Sequence, residues 1–330
     1  MKALGLSSSG FKIGNGIFGT YGDSAGTVRQ IVHDGDTLEI RLDADLGVRF
    51  LGIDTAEVSM LLPSTDTFVS LKNARWNEFF ISGAWRENLF LHPGLMLDLE
   101  VRIGDGTDVA YNHARQAERG QRTLEDFIIA DLDQSDRTKE DFRFFMAFGH
   151  EFLDGSGRLL CYLHPDRSNF SDRKLRDALP SSSYNERQLA AGAAHPYFIW
   201  PNIQPFLNNR PFAPENLEPK KFWSIVQRSS KLQQARTSVK AARKAGLGVF
   251  DPQDPLRLAP FELRFLSRKA LPKRYVLDLS QPGSKRLLDP ELYYTIPNPE
   301  DRLFIPAEYQ LLFQATGWAL EVADSVEAMG

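Results

Sequence analysis

The stretch His33-Asp34-Gly35-Asp36-Thr37, followed by Arg49 and then by Gly52-Ile53-Asp54-Thr55-Ala56-Glu57, decides how the chain folds. Around it, Thr37-Leu38-Glu39-Ile40-Arg41-Leu42-Asp43 alternates apolar and polar residues with period two, the pattern of a strand buried on one face. Residues 28–32 predict a preceding strand, and Asp34-Gly35 between the two supplies the positive φ that a tight hairpin needs. A third strand is expected over 48–53, after the Asp45-Leu46-Gly47 turn. Three short antiparallel strands in succession predict a meander or a small barrel. Asp36 opens the second strand and Asp54 ends the third, so both reach one end of the sheet, and Glu57 follows three residues on. Each acid alone has a plainer reading: Asp36 closes a turn, Asp54 and Thr55 cap a loop, Glu57 is a solvated charge. Gathered together they repel, and a hard cation with oxygen ligands is the simplest remedy. Arg49, inside the strand leading to Asp54, offers a planar fork suited to a phosphate.

Working outward, residues 1–25 are rich in Gly and Ser and read as an irregular N-terminal arm. Residues 58–106 form an aromatic-rich insertion with Trp76, Phe79, Phe80, Trp85 and Phe90. It closes with Leu95, Leu97, Leu99, Val101 and Ile103 alternating as a strand. A helix is expected over 112–131, then strands over 142–151 and 158–163 joined across Asp154-Gly155-Ser156-Gly157. Ser183 with Glu186 is a capping box opening a helix that Pro196 stops. Another helix covers 229–245, ended by Gly246 and Gly248, in a stretch from 219 to 250 that has eight cations and no acid. The remainder, 251–330, is an extension of unknown role with β-like runs at 261–266 and 275–279.

The length of 330 residues admits one large domain or two smaller ones. A single cysteine, Cys161, excludes a disulfide framework and a Cys-built zinc site, and in its strand it reads as a buried, inert thiol. With 39 Lys+Arg against 43 Asp+Glu the net charge is −4, so nucleic-acid binding would have to come from local arrangement. No apolar run approaches the roughly 18 residues of a membrane span. The N-terminus lacks the sustained apolar core of a secretory signal, so a cytoplasmic protein is expected.

The decisive stretch resembles the staphylococcal nuclease (thermonuclease) family, whose signature joins an Asp-Gly-Asp-Thr turn to an arginine and, five residues later, an Asp-Thr-Pro-Glu segment. Downstream, Asp154-Gly155-Ser156-Gly157-Arg158-Leu159-Leu160 looks like that family's second-arginine segment. Tyr184-Asn185-Glu186 onward, with Tyr197, looks like its second helix and following loop, and 229–248 like its last helix. The likeness covers 27–250, interrupted by insertions at about 58–106 and 164–182 and by a longer loop before the last helix. It implies a β-rich α+β protein, an OB-fold five-stranded barrel with packed helices over 26–250, carrying the inserted subdomain. One calcium ion, with magnesium as the alternative, would be held by Asp36, Asp54 and the carbonyl of Thr55. Glu57 would orient or deprotonate the attacking water, while Arg49 and Arg158 clamp the phosphodiester. Tyr197 falls where the family places a tyrosine along its nucleotide pocket; a buried core aromatic is the other reading. Ala56 stands where the family has proline, and Ser156-Gly157 replaces a loop bearing phosphate contacts.

The implied activity is calcium-dependent hydrolysis of DNA or RNA with little sequence preference, single strands favoured. The rivals are a catalytically silent OB-fold nucleic-acid-binding module and a protein whose acids bind calcium only for stability. The six histidines show no metal-ligand spacing and read as structural or surface residues. Asp131-Leu132-Asp133 with Asp136 reads as a surface turn, and the basic 220–244 segment as a solvated helix face.

Overall fold

A computed structural model of the chain describes residues 4–6, 12–20, 26–41, 45–63, 65, 67–154, 158–168, 177, 179–204 and 210–322. Much of the supposed arm therefore lies outside the described residues, as do Gly155, Ser156 and Gly157, most of the 164–182 insertion and part of the loop before the last helix.

Five strands close into a barrel. They are β1 (Lys12–Phe18), β2 (Thr37–Arg41), β3 (Asp45–Phe50), which runs through Leu51 into β4 (Gly52–Asp54), and then β5 (Phe144–Leu153) and β6 (Leu159–Pro165). Around the barrel β1 pairs with β5, β5 with β6, β3 with β2 and β2 with β1, all antiparallel. The β6–β3 pair is parallel, so the barrel is mixed. This is an α+β, OB-like barrel. The seam between β1 and β2 continues into Gly19, whose N–H donates to the Glu39 carbonyl at 3.0 Å. A Cβ at Gly19 would sit 2.9 Å from that of Glu39, so only glycine lets the chains approach this closely. Part of the segment expected to be irregular is thus a barrel strand, one the Gly-rich composition concealed.

Helix α1 (Pro93–Ile103) replaces the strand expected there. Leu95, Leu99 and Ile103 are buried, but Leu97 and Val101 are 62% and 74% exposed. The alternation is real in sequence, yet only every fourth residue faces the core, and Pro93 fixes the first helical turn. Residues 28–31 are likewise a short helix rather than a strand. Thr27 and Gln30 form its cap, with Gln30 Oε1 accepting from Thr27 N at 2.8 Å. The long helix α2 (Val109–Ser135) buries Leu124, Ile128 and Leu132 in the barrel core with Leu38, Ile40, Val48 and Met146. Asp131, expected at the surface, is fully buried on this helix and bound by Tyr184 and Arg187.

Helix α3 (Tyr184–Ala190) begins with the expected Ser183/Glu186 capping box. Its Asn185 donates to the carbonyls of Leu51 and Cys161 and accepts from Leu163 N, tying β3 to β6 where their ladder ends. Next come β7 (His195–Ile199) and α4 (Ser230–Lys244). On α4, Lys231, Arg236 and Arg243 pair with Glu186, Asp301 and Glu300, so three of the eight cations of the acid-free segment find their counter-charges elsewhere in the chain.

Residues beyond 250 are built into the body of the protein. Helix α5 (Pro260–Ser267) stands where a β-like run was expected, followed by β8 (Arg274–Asp278), β9 (Arg286–Leu288), β10 (Arg302–Pro306) and β11 (Ala319–Glu321). They join β7 and β4 in a second sheet of order β11-β9-β8-β10-β7-β4. A second core packs Trp76, Phe80, Leu95 and Leu99 of the insertion against Phe261, Phe265 and Tyr293 of the C-terminal region. Among the described residues no helix is long and apolar enough to cross a membrane.

Candidate functional site

The two halves of the motif meet where the barrel and the second sheet share a strand. Asp36 opens β2 after the Asp34-Gly35 turn, its N–H donating to Asp34 Oδ1 at 3.1 Å. Gly35 is pressed between Thr55 and helix α2: a Cβ there would lie 2.8 Å from Thr55 Cγ2 and 2.9 Å from the Gly120 carbonyl carbon. Gln188 of α3 clamps this contact, donating to the carbonyls of Gly35 and Gly120 at 2.5 and 2.9 Å. Asp54 ends β4, and Thr55 N donates to Asp36 Oδ2 at 3.1 Å, joining the halves across 19 residues. Glu57 is fixed by its backbone, its N–H donating to His113 Nδ1 of α2 at 2.9 Å.

Asp36, Arg49, Asp54, Thr55 and Glu57 are therefore together, as expected. Arg49 Nη2 donates to Asp54 Oδ1 at 3.1 Å and lies 3.8 Å from Asp36 Oδ2. A second guanidinium completes the cluster. Arg264 of α5 donates from Nη1 to Asp54 Oδ1 at 2.9 Å and to Glu57 Oε1 at 2.7 Å, and from Nη2 to Asp54 Oδ2 at 2.5 Å.

Burial works against charge throughout this cluster, and each carboxyl resolves the conflict differently. At Asp36, Arg49 and the donors from Asp34, Thr55 and Thr37 outweigh desolvation and hold the carboxyl at about 2. Asp34 next to it is pushed well above the usual carboxylate value by burial and by the Asp36 charge. Glu57 is raised by burial and by Asp54 and Asp36, with Arg264 opposing. His113 is driven down to about 4 by burial. Protonation would also turn the Nδ1 that accepts from Glu57 N into a donor facing a donor.

The acids have the chemistry of a hard-cation site, but their oxygens are already engaged. Asp36 accepts from Thr37 Oγ1 on one oxygen and from Thr55 N on the other, and both oxygens of Asp54 accept from arginine. Among the described residues no group of three or more His, Cys, Asp or Glu is placed to hold a metal. As arranged, the residues do not fit calcium, because both oxygens of Asp54, one of the three expected ligands, already accept from Arg49 and Arg264.

Beside the cluster opens a cleft of about 430 Å³ between β3, β6 and the second sheet. Arg49, Arg158, Arg264, Arg268 and Arg274 all line it, with Tyr197, Glu151 and Asp154. Arg158 Nε is paired to Asp154 Oδ2 at 2.8 Å, and its stem lies over Gly47, where a Cβ would come within 3.1 Å. The Tyr197 ring is buried, stacked on Phe261 at 5.3 Å, and its hydroxyl accepts from Arg274 Nη1 at 2.9 Å. Tyr197 thus belongs to the core and borders the cleft. A smaller pocket of about 160 Å³, walled by Phe261, Phe265 and Tyr293, shares Tyr197, Arg264, Arg268 and Arg274 with the cleft. None of the described residues among 58–106 lines either cavity.

The motif disclosed the acids, Arg49 and Arg158. It gave no sign of Arg264, Arg268 and Arg274, which come from a region without signature. Pro260 followed by Glu262, a helix-opening pair, was the one local signal that Arg264 sits on a helix. His113 was passed over because no spacing links it to Glu57, 56 residues away.

The molecule defined by this fold and site is an α+β barrel protein with a cationic cleft against an arginine-bridged acidic cluster. Comparison with known families finds no family model that matches the chain, and comparison with curated proteins finds no match.

Proposed function

We propose that the protein binds single-stranded DNA or RNA along the arginine-lined cleft and hydrolyses its phosphodiester bonds with little sequence preference. The observation that carries this reading is the convergence of five arginines on one cleft in a chain whose net charge is −4. Guanidinium forks match phosphate oxygens and would stabilise the added charge of a five-coordinate phosphorus. Tyr197 and the adjoining aromatic pocket would receive a base, a contact that tolerates any sequence. Glu57, its carboxyl raised by burial and joined to Arg264, is the group suited to take a proton from an attacking water. In this reading the barrel is that of a staphylococcal-nuclease-like enzyme.

A second reading, the catalytically silent binding module, draws on the same Arg264, whose hold on Asp54 and Glu57 occupies the acids. Labelled single-stranded DNA and RNA, incubated with the protein in calcium, in magnesium and in chelator, separate the two. Cleavage in any of these conditions that Glu57→Gln abolishes is the expected result. Binding without cleavage in every condition overturns the enzyme in favour of the silent module.

A further inference from the structure

We infer that Arg264 is an internal counter-cation that takes the place of a divalent metal at the acidic cluster, so that the intact protein does not bind calcium there. Three carboxylates, Asp36, Asp54 and Glu57, face one another with Arg49 and Arg264 as the cations among them. Arg264 meets Asp54 through both terminal nitrogens and reaches Glu57 with one of them, so a single planar group spans the two acids.

The arginine is held in place by its helix. Phe261, Leu263, Phe265 and Leu266 of α5 are buried in the second core. Two residues before Arg264, Glu262 is clamped by Arg102 at 2.6 and 2.7 Å, by the Tyr293 hydroxyl at 2.6 Å and by Ala259 N. The Arg264 side chain itself is only 18% exposed. Its ordering is therefore settled by folding, and a metal would have to displace a charge already seated on two acids. Without Arg264, three acids would face Arg49 alone, the condition under which a hard dication with oxygen ligands is taken up.

The cation content of the site can be tested apart from any activity, by following thermal unfolding of the full chain against calcium chloride. The wild-type midpoint is expected to stay put, while that of Arg264→Gln climbs by several degrees as calcium binds the folded state. Adding Asp36→Asn to Arg264→Gln removes the response. A wild-type midpoint that climbs with calcium overturns the inference, as does a folded Arg264→Gln with no response. If Arg264→Gln does not fold, the wild-type titration together with Arg264→Lys decides, because a lysine ammonium cannot span both acids and leaves room for calcium.

The consequence for catalysis rests on the reading proposed above: cleavage by the wild type should survive chelation within about twofold. Calcium-dependent cleavage would sink the counter-cation while sparing the nuclease. A silent midpoint with no cleavage would do the reverse.

Discussion

Asp54 has no exposed surface and carries two arginines, so its charge is met entirely from within the protein. Arg158 is of another kind, part-exposed and paired with Asp154 four residues before it. Such a pair contributes little to stability. Arg158→Ala is therefore expected to lower turnover at least roughly tenfold while the unfolding midpoint stays within a degree or so. Normal turnover would remove Arg158 from the phosphate clamp. Buried His113 and half-buried His195 make the fold sensitive to acid. His113 and His195 are both pushed down to about 4, chiefly by burial, so at these two sites the unfolded chain binds more protons than the folded one between about pH 4 and 6.5, while the raised carboxyls of Asp34 and Glu57 act in the opposite sense. The contribution of these two sites to stability should fall as the pH drops through that window, by on the order of 3 kcal/mol for each histidine. Asp36, held at about 2, adds a further loss below the ordinary carboxylate value near 4. Denaturant melts of the wild type and of His113→Asn at pH 7, 5 and 4 check this; the same pH dependence in both would mean that His113 is solvated.

At the scale of elements, α5 matters more than its eight residues suggest, because it is wedged between the insertion and the acidic cluster. Phe265→Ala should cost about 3–5 kcal/mol and loosen Arg264, seen as faster hydrogen exchange at Glu57 and Arg264 than elsewhere. Uniform exchange across the chain would show that the helix is held by other contacts. The same element marks where the sequence ceased to be legible. Strands β2, β5 and β6 and helices α2, α3 and α4 declared themselves through period, turn glycines and caps, and the acids with Arg49 declared the near side of the site; β3 did so in part, since Asp45, Leu46 and Gly47, expected as a turn, are its first residues and pair with β2. Helices α1 and α5 did not, since Leu95 to Ile103 and Phe261 to Phe265 alternate like strands, while burial follows the helical turn in α1 and covers nearly every side of α5. Strand β1 was hidden by its Gly-rich composition; the close approach that Gly19, just past its end, allows across the seam is a tertiary fact with no local trace. Arg264 could not be read at all: its partners lie 207 and 210 residues away.

For the whole molecule, an overall acidic surface surrounds a local concentration of guanidinium groups. Binding to single strands should therefore be steeply salt-dependent, with a log–log slope of about −2 if three phosphates are contacted. Titration of a fluorescent oligonucleotide at several salt concentrations measures it, and a flat dependence would place the strand outside the cleft. Among the described residues the insertion does not line that cleft. It shares a core with the C-terminal region, so removing residues 58–106 is expected to unfold that region. Proteolysis of the deletion variant, cutting first beyond residue 250, would report it.

The reach of Arg264 back to Asp54 also sets a timetable during synthesis. Asp54 leaves the ribosome 210 residues ahead of its second guanidinium, an interval of roughly 10–40 s at ordinary elongation rates. Throughout that interval the nascent chain presents its carboxylates with one arginine between them, and a chain that stops short of residue 264 never acquires the other.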